Sequence, residues 1–306
     1  MKTAFFRVGH RLAAVCGMFA LCALAAAVSP AYAARVGVLS NNYAAATAAD
    51  FTAKIPGHAF TGIDTFASVP TLPTLLADYD LLLVFEDGRF ANSKAVGDVA
   101  AAFASTGRPV VLGTFYDQDR SDSANPALTV IPVPGGWGAL ESIDPNTTDG
   151  IGVPTDGTGL PNRPRVLDAA TIVPHALTAG VTALGASSGF AGGNQAKTGT
   201  IVLANWTGPN ARGLPDPAIA YRLTGTTCVV QIGIAPDYAV GTGPGYGAGS
   251  FTGDFYLVWK NAFDFAAGSC GTTKRIPALS DSGLALTVLL MVAVAFSQRR
   301  RLVGRR

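Results

Sequence analysis

The sequence predicts an α/β domain built on a mostly parallel sheet with helices on both faces, followed by a C-terminal transmembrane helix. Three observations lead there. Short apolar runs alternate with helical segments along the first third of the chain, the pattern of βαβ units. Hydrophobic residues make up 49% of the 306 and charged ones only 14%, which excludes disorder over the whole length. A long apolar stretch near the carboxyl end closes on Arg299, Arg300, Arg301, Arg305 and Arg306, the layout of a membrane span with a cytoplasmic tail.

Taken in order, Arg35 to Leu39 reads as a buried strand and Tyr43 to Ile55 as an alanine-rich helix closed by Pro56-Gly57. Phe60 to Phe66 alternates as a second strand, Leu72 to Ala77 is a helical turn, and Asp80 to Phe85 is a continuous apolar strand. Ser93 to Ser105 is a helix with Val96, Val99, Ala100 and Phe103 on one face, ended by Gly107, and Pro109 to Thr114 is the next strand. Near-continuous apolar strands of this kind belong to parallel sheets covered on both faces. From Phe115 to about Gly199 proline, glycine and aspartate take over, and a stretch of that length predicts short strands or a packed insertion. Thr200 to Ala204, Ala218 to Leu223 and Thr227 to Ile234 are β-rich, with a hairpin turn at Leu223-Thr224-Gly225-Thr226. The glycine-rich loop Gly241 to Gly253 then leads into a last helix, Asp254 to Ala267.

The two ends read as addresses, which divides the chain into 1–33, 34–271 and 272–306. Lys2, Arg7 and Arg11, an apolar run from Leu12 to Val28, and Ser29-Pro30-Ala31-Tyr32-Ala33 form the three zones of a signal peptide. The small side chains of Ala31 and Ala33 place cleavage between Ala33 and Ala34 and imply the Sec translocon and signal peptidase as partners. Residues 34–270 carry 12 basic and 19 acidic side chains, a net of −7, so nucleic acid is excluded as a partner. Cys16 and Cys22 leave with the signal peptide. The remaining Cys228 and Cys270 suggest one disulfide in an oxidising compartment, the alternative being an ordinary buried thiol at Cys228. Ile276 to Phe296 covers about 31 Å as a helix, enough to cross the inner membrane. The positive-inside rule then places the acidic body outside the cytoplasm.

Ile276-Pro277-Ala278-Leu279, a short polar step, Gly283, one apolar helix and an arginine cluster resemble the IPTL-CTERM sorting signal of Gram-negative bacteria. Ala278 stands where threonine is commonest in that signal, and Ser282 where tryptophan precedes the glycine. The resemblance implies an exosortase-type sorting enzyme acting near Ile276 to Leu279, with release or transfer to the cell surface; a plain single-pass anchor is the alternative.

The body carries a second resemblance. Ala77-Asp78-Tyr79-Asp80 before a buried strand, Pro174-His175-Ala176-Leu177-Thr178-Ala179-Gly180, and Gly253-Asp254 opening a helix through Asn261-Ala262 look like the class I glutamine amidotransferase-like superfamily, a flavodoxin-like arrangement. The resemblance implies a catalytic cysteine after the strand Pro109 to Thr114 and a histidine after a late strand. Thr114, Phe115 or Tyr116 takes the first place and Ala235 the second, so the nucleophile and base of that chemistry are missing and no catalytic residue is assigned.

Ligands of open parallel sheets bind beyond the carboxyl ends of the strands. There the sequence puts Ser40, Asn41 and Asn42 after the first strand, Glu86 and Asp87 after the third, and Tyr116, Asp117, Gln118 and Asp119 after the fourth. Where these ends converge, Asn41, Glu86, Asp87, Tyr116, Asp117 and Asp119 would suit a hard cation such as Ca²⁺ or sugar hydroxyls, and paired carboxylates there could hydrolyse a glycosidic bond; the alternative is a solvated acidic rim with helix caps. His58 and His175 have no ligand-type neighbours at metal spacing, which excludes a structural zinc site. No dinucleotide fingerprint follows the first strand, and Gly243-Pro244-Gly245-Tyr246-Gly247 lacks the lysine and hydroxyl of a phosphate cradle. The expectation is an exported envelope or cell-surface protein with a non-catalytic binding or structural body. The alternative is an extracellular carboxylate-dependent hydrolase acting on glycans.

Overall fold

A computed structural model describes residues 33–66, 68–87, 92–114, 136–148, 164–187, 191–210, 212–242, 246–268 and 270. The chain starts with β1 (Arg35–Ser40), α1 (Ala44–Lys54), β2 (Ala59–Asp64), α2 (Leu72–Asp78), β3 (Leu81–Val84), α3 (Ser93–Ser105) and β4 (Val110–Gly113). A region of short elements follows: β5 (Asn146–Thr148), β6 (Arg165–Val166), β7 (Leu184–Ala186) and β8 (Asn194–Ala196), with three single 3-10 turns among them. Long strands return as β9 (Thr200–Pro209), β10 (Pro215–Thr224) and β11 (Thr227–Ile232), before β12 (Phe251–Gly253) and α4 (Phe255–Gly268).

Seven strands form the main sheet in the order β2-β1-β3-β4-β11-β10-β9. β1 lies between β2 and β3, with Val38 opposite Gly62 on one side and Leu83 on the other. β3, β4 and β11 continue in the same direction. The chain thus leaves β1 for one neighbour and returns to its other side, so the topology reverses between β1 and β3.

Alternation along the strands splits the core in two. Val36, Val38, Leu81, Leu83, Val111, Val230 and Ile232 face α1 and α4, where Phe51, Phe255, Trp259 and Phe263 are fully or almost fully buried. Leu39, Leu82, Val84, Val110, Leu112 and Val229 face α2 and α3, joined by Leu75, Val96, Ala100 and Phe103. Each such large side chain contributes about 1.5–3 kcal/mol by leaving water. Trp137, just before the 3-10 turn Gly138–Ser142, and Leu140 within it close the second face. That closure needs Gly97 on α3, where an added Cβ would lie 1.8 Å from the Trp137 carbonyl oxygen.

Two expectations are corrected. Strand pairing is mixed, not mostly parallel: beside the four parallel ladders among the described strands, β10 pairs antiparallel with both β11 and β9, and β5–β8, β6–β7 and β7–β12 are antiparallel as well. The fold is a mixed α/β arrangement of one mixed sheet and two small antiparallel ones. The reason is local, since β10 and β11 are joined by the tight turn at Gly225 and Thr226, and strands joined so closely can only run antiparallel. The C-terminal transmembrane helix and the inner-membrane placement resting on it are also withdrawn. No described helix is long and apolar enough to cross a membrane, and the stretch Ile276 to Phe296 lies outside the described residues, as do Ala31 and the sorting motif Ile276, Pro277, Ala278, Leu279 and Gly283. Ala33 is described and exposed.

Cys228 and Cys270 form a disulfide with their Cα atoms 5.5 Å apart. It fastens the end of α4 to the start of β11, and bridges of this kind persist in oxidising compartments.

Candidate active site at the carboxyl edge of the sheet

The carboxyl ends of β1, β3, β4 and β11 lie side by side, and polar residues gather there because each strand's apolar run stops at the same level. Ser40, Glu86, Thr114 and Asp237 are all fully buried. The reversal between β1 and β3 is bridged by a reciprocal pair of hydrogen bonds. Asn41 Nδ2 donates to the Asp87 carbonyl oxygen at 2.9 Å, and the Asp87 amide donates to Asn41 Oδ1 at 2.8 Å. This clamp fixes Asp87 beside β1, in the crevice where open α/β sheets place their ligands.

Both oxygens of the Asp87 carboxylate accept hydrogen bonds. Tyr246 Oη donates to Oδ1 at 2.6 Å, and Asn42 Nδ2 donates to Oδ2 at 3.1 Å. Donors of this kind favour the ionised form. Asp237 is in the opposite situation. It follows β11 in the turn Pro236-Asp237-Tyr238, its side chain is completely buried, and among the described residues no other residue donates a hydrogen bond to either carboxylate oxygen. Burial pushes its carboxyl well above the usual aspartate range and the negative charge of Asp87 adds to this, with only its own backbone N–H opposing. Tyr246 is likewise driven far above the ordinary tyrosine value, by burial first and then by the charges of Asp237 and Asp87, so it stays a donor.

Two loops wall the site. Tyr43, the residue before α1, brings its phenol to Thr242, and its ring centroid lies 5.9 Å from that of Tyr246. Tyr238 stands 6.4 Å from Tyr246, and its carbonyl accepts the Gly247 N–H at 2.7 Å. Gly241 permits this packing, since a Cβ there would fall 2.0 Å from the Tyr246 ring. Asn42 and Thr242 are exposed, and Tyr43, Asp87 and Tyr246 half-buried, so the acid pair opens to solvent on the side of Asp87. A carboxyl biased toward its protonated form beside one whose hydrogen bonds favour the ionised form, lined by amide and phenol groups, can hand over one proton and accept another.

Of the residues singled out from the sequence, Asn41, Glu86 and Asp87 lie at this edge, whereas Tyr116, Asp117 and Asp119 lie outside the described residues. Among the described residues no group of three or more His, Cys, Asp or Glu side chains is arranged to hold a metal ion. Thr114 and Ala235 stand just past β4 and β11, in the places where a cysteine and a histidine were sought. Sequence reasoning passed over Asp237, Tyr246 and Tyr43. The signal for Asp237 was present: an acid placed just beyond a buried apolar strand, as in Glu86-Asp87.

No family model matches this chain, and no curated protein matches it. Among solved structures it is similar to a ThuA-like protein from Bacteroides uniformis, with 12% identity over 79% of this chain and 95% of the other and a TM-score of 0.46. It is also similar to Agd3, a carbohydrate deacetylase, with 12% identity over 67% of this chain and 30% of the other and a TM-score of 0.34. Neither likeness is close enough to transfer an activity.

Proposed function

We propose that the domain is a glycan-directed hydrolase that works through the paired acids Asp87 and Asp237. One observation carries the reading: Asp237 is fully buried, receives no hydrogen bond from another residue among those described, and sits within the charge field of Asp87. A buried acid left in that state is costly to the fold, and such costs concentrate where chemistry needs them. Asp237, held protonated and shielded from solvent, donates its proton to the departing glycosidic oxygen through an intervening water. Asp87, held ionised by Tyr246 and Asn42, activates the attacking water or stabilises the positive charge that develops on the sugar. Amide and hydroxyl groups from Asn41, Asn42, Tyr43 and Thr242 at the rim supply the donors and acceptors that sugar hydroxyls require.

The test is turnover of a panel of polysaccharides and chromogenic glycosides by the purified chain, beside Asp237→Asn and Asp87→Asn. Both substitutions should lower kcat at least a hundredfold, the usual contribution of a positioned acid or base, while sugar binding by the inactive variants persists. Equal sugar binding by native chain and Asp237→Asn, with no turnover by either, would instead make this a binding domain.

A further inference from the structure

We propose that Tyr43 is a positioning residue: from one strained backbone position it sets two hydrogen bonds to the Asp87 carboxylate, one to each oxygen, and so biases which acid of the pair carries the proton. The inference rests on the acid–base reading above and deepens it.

The backbone supplies the first reason. Tyr43 has φ +52° and is the one non-glycine residue with positive φ among those described, a left-handed conformation uncommon for any residue with a Cβ. Helix initiation does not explain it, because the Tyr43 side chain makes no capping hydrogen bond to α1. Strain of this sort persists where surrounding contacts determine the conformation, and it collects at functional sites.

Two arms then run from Tyr43 to the two oxygens of Asp87. In the first, the Tyr43 N–H donates to Asn42 Oδ1 at 3.0 Å. With its oxygen engaged, the Asn42 carboxamide turns its Nδ2 outward, onto Asp87 Oδ2 at 3.1 Å. In the second, the Tyr43 phenol oxygen accepts the Thr242 N–H at 3.1 Å and lies 2.7 Å from Thr242 Oγ1. This fixes the start of the glycine-rich loop, on which Gly241 packs flat against the Tyr246 ring. Tyr246 then donates to Asp87 Oδ1 at 2.6 Å. One residue is therefore the root of both donors.

The consequence is a division of labour between two acids of the same type. Asp87 has both oxygens occupied by donors, which favours its charged form; Asp237 has none among the described residues, which favours its protonated form. The titratable groups around Asp87 among the described residues are Asp237 beyond β11, Tyr246 on the glycine-rich loop and the adjoining Glu86, with Tyr43 facing Tyr246. Apparent titrations belong to the pair, so the lower one reports how firmly Asp87 is held.

The experiment compares native chain, Tyr43→Phe, Tyr43→Gly, Tyr246→Phe and the double variant Tyr43→Phe/Tyr246→Phe. Thermal unfolding checks that each is folded. The readouts are the pH profile of glycoside turnover and, independently of turnover, titration of the aspartate side-chain carboxyls by carbon-13 NMR. Tyr43→Phe removes the phenol arm alone; Tyr43→Gly does the same while keeping the left-handed backbone of the Asn42 arm. Each should raise the lower titration of the pair by about one unit, a tenfold change in proton affinity, and move the acid limb of the rate profile equally. The double variant should go no further than Tyr246→Phe, since the two residues act in series. An unmoved lower titration in both Tyr43 variants, or additive shifts in the double variant, would overturn the proposal. A native chain that hydrolyses no glycoside but shows these carboxyl shifts would sink the hydrolase reading and leave the positioning role of Tyr43 standing.

Discussion

Two fully buried aspartates sit at the same edge of one sheet and live under opposite conditions. Asp216 opens β10 and Asp237 follows β11; because Ile219 faces Ile232 across these antiparallel strands, both acids lie at the carboxyl end of the parallel half. Asp216 accepts the amides of Gly193 and Asn194 at 2.9 and 3.0 Å, and Arg165 Nη2 lies 3.5 Å away with almost no exposure. Among the described residues Asp237 has no such donor. The first is how a protein buries a charge when structure alone is at stake: a countercharge and backbone donors replace the lost water. The second lacks these, and the difference separates an acid that holds the fold together from one that the fold holds ready.

The largest expected effect breaks the satisfied member. Asp216→Ala strands the Arg165 guanidinium in the interior and should cost about 3–5 kcal/mol, the loss measured when one partner of a buried ion pair is removed. A urea unfolding midpoint that barely moves would show that Asp216 is no more needed than Asp237. Next comes the disulfide, anchored at the start of the strand that leads to the unsatisfied acid. Cys228→Ser with Cys270→Ser opens a link spanning 42 residues and should cost about 3–4 kcal/mol, read as a fall in the same midpoint that dithiothreitol reproduces in the native chain.

Asp237 should behave with the opposite sign. Its folded-state proton affinity is raised by burial and by Asp87, so the folded chain binds a proton that the unfolded chain has already released. Stability is therefore fully present below the ordinary aspartate range of about 3.9 and declines as pH rises through the raised value. Asp237→Asn removes this slope. The variant should be more stable than the native chain at neutral pH while losing turnover, and a plot of urea midpoint against pH should be flatter. A steeper plot would mean that Asp237 is ionised and paired after all.

Much of the parallel half was legible in the sequence, and for a simple reason. Apolar runs such as Leu81–Val84 and Val110–Gly113 are buried on both faces, and nothing but a covered strand asks for that composition. The helix Ser93–Ser105 coincides with its periodic apolar face. Antiparallel pairing was less legible, because an apolar strand in a mixed sheet has the same composition as one in a parallel sheet, and only the turn at Gly225 gave direction away. The small sheets depend on pairings such as Asn146 with Ala196, 50 residues apart, which no local pattern encodes. At the site, Asn41 and Asp87 could be placed by their position after strands. Tyr43 could not, since a left-handed tyrosine is dictated by its surroundings, and Tyr246 reaches Asp87 across a sequence separation of 159.

The smallest effect supplies a control for the pH argument. Asp98 on α3 is half-exposed; its carboxyl is held below the usual range by a hydrogen bond from Lys94 four residues earlier and by the Ala139 amide at 2.8 Å. A lowered folded value means that its contribution is present above the ordinary aspartate pKa and is lost as pH falls through the folded one, the reverse of Asp237. Solvent screening keeps such exposed pairs near 0–1 kcal/mol, so Asp98→Asn should lower stability at neutral pH by about 0.5 kcal/mol or less and leave it unchanged in strong acid. If Asp98→Asn and Asp237→Asn changed the pH dependence in the same direction, burial would not be what distinguishes the two, and the reading of Asp237 as an acid kept protonated by its surroundings would fall with it.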